Sequence, residues 1–202
     1  QPLQIPRQQV RLLLYYLATQ SNPVNRNTLI QLFWPSHAED AARKLLREAL
    51  SKLKAALPDP AVLESTGKNL RLDPKKAYSD MLEFEHLTKP IMSGAVIEGD
   101  ARLPDLLYQN MRKALALCRG SMTVSDINPV VSGGMEDYFQ FVSQTYDHIR
   151  ISLKERLTSH CIAKGDLNEA LFWLTRLHEI DPFCNENNYL MISCLKDSGR
   201  EK

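Results

Sequence analysis

A chain of 202 residues is long enough to bury one large core or two small ones, and 44% apolar with 24% charged residues is the balance of a globular protein. No apolar run approaches the ~20 residues that a membrane-spanning helix needs, so no membrane partner is expected. The formal charge of +1 hides an asymmetry, because residues 1–76 carry 12 Lys/Arg against 6 Asp/Glu whereas residues 77–202 carry 13 against 18. A half at +6 followed by a half at −5 points to two modules, the first suited to a polyanion.

The first residues, Gln1-Pro2-Leu3-Gln4, hold neither a Met nor a signal-peptide pattern and read as the edge of a fragment. From Arg7 to Gln20, Val10, Leu13, Leu14 and Leu17 recur at helical spacing and predict a first helix. After the turn at Asn22-Pro23, Asn25 is a good N-cap for a second helix whose stripe is Leu29, Leu32 and Phe33. Trp34-Pro35 ends that helix, and a third is expected to start at once. Ser36 and Glu39 have the S-x-x-E spacing of a capping box, and nothing breaks the pattern before Pro58.

This third helix, residues 37–57, has two faces. Ala42, Leu45, Leu46, Ala49, Leu50, Leu53, Ala56 and Leu57 fall on one side, and Lys44, Arg47, Glu48, Ser51 and Lys54 on the other. Alone, such a face reads as a solvated one, but the residues beyond Pro58 change that reading. Val62–Ser65 and Leu70–Leu72 are short strand-like runs around Thr66-Gly67-Lys68-Asn69, which is hairpin chemistry. Three helices and a hairpin with a basic tip describe a winged helix-turn-helix, with the third helix in the DNA major groove. Arg47 is then a reader of guanine edges. Lys44, Lys54 and the border residue Arg43 reach phosphates, and Ser51 bonds to either. Lys68 and Arg71 are the wing candidates. Glu48 accepts from cytosine N4 or, more simply, pairs with Lys44 or Lys52 one turn away.

"RQQVRLLLYYLA", "VNRNTLIQLFWP", "ARKLLREALSKLKAAL" and "LESTGKNLRL" resemble the winged-helix domain of the OmpR/PhoB type, in the version found in SARP-type bacterial transcriptional regulators. The resemblance implies that "PLQI" is the last strand of an N-terminal sheet otherwise missing here. Asn69-Leu70 stands where the family often has Gly-Tyr. It also makes the loop at Trp34–Ser36 a candidate contact for RNA polymerase.

Beyond residue 76 helices dominate. "SDMLEFEHL" (79–87) opens one, residues 103–120 form another that closes at Gly120, and 121–134 are a loop. Phe139, Val142, Tyr146, Ile149, Leu153 and Leu157 mark a long helix running to Lys164. Leu167, Ala170, Leu171, Leu174 and Leu177 stripe the next, which stops before Pro182. Gly165 and Gly199 lie 34 residues apart, the tetratricopeptide period, and the repeat is cut off at the C-terminal end. Residues 77–202, through "SDMLEFE", "ALALCRG" and "KGDLNEAL", resemble the bacterial transcriptional activator domain, or BTAD, a TPR-like module that follows the winged helix in SARP regulators. Asp137-Tyr138 replaces the Trp often found near the start of the long helix.

The expected fold is therefore mainly α: a winged helix-turn-helix in 1–76, then an all-α TPR-like helical-repeat domain in 77–202. No catalytic residue, cofactor or metal is expected. The five histidines are scattered, and there is no GxxxxGK[ST] or GxGxxG. Cys118, Cys161, Cys184 and Cys194 have no CxxC spacing, which fits a reducing cytoplasmic setting. The resemblance implies a transcription activator bound to double-stranded promoter DNA, and the open-ended repeat suggests self-association or polymerase contact through the helical half. A protein-interaction scaffold that never meets DNA is the rival, since TPR arrays bind other proteins.

Overall fold

A computed structural model describes residues 4–5, 7–93, 101–119 and 135–199. The chain is mainly helical, with a small three-stranded sheet. Its described residues form two compact units. One belongs to Gln1–Glu83 with Met122–Ser143, the other to Phe84–Ser121 with Gln144–Lys202.

In the first unit, helix α1 (Gln8–Ala18) buries Val10, Leu12, Leu13, Tyr16 and Leu17. Strand β1 (Val24–Asn25) leads directly into α2 (Arg26–Phe33), whose first turn is capped by Asn25 Oδ1 accepting from Asn27 N at 2.9 Å. Helix α3 (Glu39–Ala56) follows, then a 3-10 turn and the hairpin β2 (Leu63–Thr66) and β3 (Asn69–Leu72). The sheet order is β1-β3-β2, antiparallel throughout, with Val24 opposite Leu70 and Thr66 opposite Asn69. Gly67 opens the two-residue turn at φ +59°, a conformation that side chains with a Cβ resist. Leu13, Leu29, Ala42 and Leu53 are fully buried at the centre of this unit, and Trp34 is core rather than loop surface.

The structure corrects several expectations. The third helix begins at Glu39, not His37. Its N-cap is Ala38, which makes no side-chain bond, and Ser36 lies in a turn whose His37 N–H donates to Trp34 O at 3.2 Å. Glu39 turns forward along the helix to pair with Arg43, so no capping box forms. The intervening turn separates α2 and α3 more than an immediate restart allows. Of "PLQI", Gln4 and Ile5 are not in a strand, and residues 1–3 lie outside the described residues. The strand that completes the sheet is instead Val24–Asn25, which periodicity does not reveal because it is two residues long. The first unit also draws on residues far beyond residue 76. Met135 and Phe139 are buried in the first unit's core, and Tyr138 accepts from Gln20 Nε2 at 2.8 Å while its hydroxyl bonds Thr19 Oγ1 at 2.8 Å.

The second unit is built from helices alone among its described residues. They are α4 (Asp80–Met92, whose first four residues belong to the first unit), α5 (Asp105–Leu117), α6 (Met135–Lys164, from Gln144 on), α7 (Leu167–His178) and α8 (Asn185–Asp197). Helix α5 stops three residues before Gly120, which lies outside the described residues together with the loop 121–134. Phe84, Ile91, Met111, Leu153, Leu157 and Leu174 form its core. Gly165 at φ +77° ends α6, and Asp166 caps α7 by accepting from Glu169 N at 3.1 Å. Ala170, fully buried, lets α7 pack closely in this core.

Candidate nucleic-acid interface

The α3 helix owes its two faces to the placement of its leucines. Ala42, Leu46, Ala49, Leu50 and Leu53 are buried, which turns Lys44, Arg47, Ser51 and Lys54 to solvent. Lys44, Arg47 and Lys54 form no ion pair or side-chain hydrogen bond among the described residues. Glu48 is also exposed and pairs with neither Lys44 nor Lys52, so the expected helix pair is not made. Arg43 is committed to Glu39 on the same helix.

Beside this face lies an open concavity. Arg43 and Arg47 come to it from α3, Arg26 and Asn27 from the start of α2, and Lys68 from the tip of the β2–β3 hairpin. The hairpin is strapped in place by Arg26. Its backbone N–H donates to Lys68 O at 2.8 Å, and its Nη2 donates to Ser65 Oγ at 2.9 Å. One residue thus fixes the hairpin tip next to the N-terminus of α2, whose amides and partial positive charge add to the cationic field. Asp40 is the carboxylate within the same wall and gives the site one acceptor among its donors.

Of the seven residues expected from sequence, the fold brings Arg43, Arg47 and Lys68 together in one concavity. Lys44, Ser51 and Lys54 are on the exposed face of α3, outside it. Arg71 is set apart: it lies opposite Glu64 in the sheet, and its Nε donates to Glu64 Oε2 at 2.6 Å. Its charge is largely answered within the hairpin. Sequence reasoning missed Arg26, Asn27 and Asp40. The only signal for Arg26 was its place just after a good N-cap; that its side chain reaches Ser65, 39 residues on, was not legible.

Among the described residues, no three His, Cys, Asp or Glu side chains gather to hold a metal, and the four cysteines are free thiols. No helix of the described residues is long and apolar enough to cross a membrane.

No family model matches the chain, and no curated protein sequence does. Among solved structures, it is similar to EmbR of Mycobacterium tuberculosis, solved in complex with a low-affinity phosphopeptide. The TM-score is 0.62 at 20% identity, and the match covers 99% of this chain and 51% of that one. The chain thus spans about half the length of EmbR, and at this identity the likeness establishes a shared fold.

Proposed function

We propose that this protein is a sequence-specific DNA-binding transcriptional regulator, an activator of the SARP type. In this reading α2 and α3 are the helix-turn-helix pair, β2 and β3 are the wing, and residues 1–76 form the DNA-binding domain. Residues 77–202 form the TPR-like activator domain, through which the protein self-associates or meets RNA polymerase. The observation that carries the proposal is the exposed, unpaired set of Lys44, Arg47 and Lys54 on one helix face, continuous with Arg26 and Lys68 at the hairpin. A solvated helix face is usually dressed with opposite charges one turn apart, and here Glu48 is left unused between two lysines. An exposed helix of this length fits a major groove, and a basic hairpin beside it reaches the flanking backbone.

Arg47 is the base reader, because its guanidinium offers the two parallel donors that guanine O6 and N7 accept. Lys44, Lys54, Arg43 and Lys68 hold phosphates, and Ser51 bonds to a base or a phosphate. Arg26 and Arg71 set the wing's position, the latter through Glu64. Selection of bound duplexes from a random library tests the proposal. Wild type should enrich a defined motif, and the triple variant Lys44→Ala, Arg47→Ala, Lys54→Ala should lose it. Unchanged enrichment in the triple variant would sink the reading and leave a protein-interaction scaffold as its replacement.

A further inference from the structure

The helical unit contains a second concavity with an unusual charge balance. Four cations line it: Arg112 from α5, Arg150 and Lys154 from α6, and Arg176 from α7, with Glu179 as the acid among its described lining residues. Two of the four have carboxylates elsewhere, Arg112 with Glu169 at 3.6 Å and Arg150 with Asp147 at 3.0 Å. The guanidinium carbon of Arg176 lies over the ring of Phe172, 3.6 Å from its centroid. Lys154 is the anomaly. Its residue is only 8% exposed, yet among the described residues no carboxylate stands at ion-pair distance from its ammonium group.

Lys154 lines the open concavity, so its ammonium group is left on that wall as a donor with no carboxylate partner among the described residues. Burial depresses the Lys154 pKa, and Arg150 and Arg176 depress it further, opposed by Cys118 and Glu179. The three cations therefore face one another across a concavity open enough to admit a ligand. What such a place lacks is a compact anion with several acceptor oxygens, which can accept from an ammonium and from two guanidinium groups at once.

We infer that the concavity formed by Arg150, Lys154 and Arg176 is a binding site for the phosphoryl group of a small phosphorylated ligand. The side chains of Leu115 and Phe172 on its wall suit an organic portion attached to that group. The site lies wholly within the helical unit and does not rest on the DNA-binding reading.

Calorimetric titration of the full chain with inorganic pyrophosphate at fixed ionic strength tests this. Wild type should bind one equivalent, and Lys154→Met and Arg176→Gln should each weaken binding about tenfold or more. Arg47→Ala, on the other cationic face, should bind as wild type does. Without pyrophosphate, Lys154→Met should melt at the same temperature as wild type or higher, because it removes a charge crowded by Arg150 and Arg176 and keeps the side chain's length. Four results would overturn the assignment. They are no pyrophosphate binding, equal binding by Lys154→Met, loss of binding in Arg47→Ala, or a lower melting temperature for Lys154→Met, which would mean that the lysine already has a counter-charge inside the fold.

Discussion

If the outer face of α3 meets DNA, the number of phosphates engaged can be read from salt. Seven cations belong to the face and its hairpin: Arg26, Arg43, Lys44, Arg47, Lys54, Lys68 and Arg71. Three already have partners in the protein, Arg26 with Ser65, Arg43 with Glu39 and Arg71 with Glu64. That leaves four whose only gain on binding is a phosphate or a base. At about 0.9 counterions per phosphate, and with Arg47 on a base, Lys44, Lys54 and Lys68 give a log–log slope near −2.7, and all six cations other than Arg47 give about −5.4. Affinity should therefore fall between roughly fortyfold and about two thousandfold from about 50 to about 200 mM salt. Fluorescence anisotropy with a labelled duplex measures this directly. Lys44→Ala should flatten the slope by about 0.9 on any duplex, the mark of a lost phosphate contact. Arg47→Ala should cost about 1–3 kcal/mol of binding and also blur discrimination at one base pair. Neither should move the unfolding midpoint much, because both side chains are exposed and unpaired, and such substitutions stay within about 0.5 kcal/mol. A slope shallower than about −2, unaltered by Lys44→Ala, would refute the reasoning, since each phosphate held by a lysine or arginine must add to the salt dependence.

The opposite face of the same helix should respond in the reverse sense. Leu53, fully buried between α3 and the rest of the first unit, should cost about 2–5 kcal/mol as Leu53→Ala, read by urea denaturation. At the helix ends, Asn25→Ala should cost about 1 kcal/mol because Asn25 Oδ1 holds the first free amide of α2. Ser36→Ala should be close to neutral, and a loss near that of Asn25→Ala would restore the capping box that the fold does not show. Burial pushes the Cys161 thiol up to about 12, so a maleimide at mildly alkaline pH should label it only after unfolding. The linkage has a definite sign. The unfolded thiol ionises near its ordinary value of 9.0 while the folded one stays protonated, so this group's contribution to stability falls as pH rises past 9.0 and levels off only near 12. A stability that rose over that window in wild type relative to Cys161→Ala would contradict the burial.

Sequence alone determined what depends on neighbours a turn or a pleat apart. The period of Leu46, Leu50 and Leu53 fixed α3 and turned Arg47 outward, because an amphipathic helix has only one way to bury that stripe. Gly67 announced the hairpin and Gly165 the end of the long helix, since both positions need a positive φ. Asn25 was legible as a cap for the same local reason. What tertiary structure decided was every feature joining residues far apart in the chain. The capping box at Ser36 failed because the turn after Trp34 is set by packing of that indole in the core, and Glu39 found Arg43 instead. Strand β1 exists only because Leu70 lies beside Val24, and a two-residue strand has no period of its own to read. On a helix that reads as part of the second half, Tyr138 joins the first unit through Thr19 and Gln20, 119 and 118 residues away, and Phe139 through its buried core. The charge pattern of Arg150, Lys154 and Arg176 is likewise invisible along the chain. In sequence they are ordinary helix cations. Only the packing of α5, α6 and α7 gathers them around one concavity, with Lys154 mostly buried and without a carboxylate partner among the described residues.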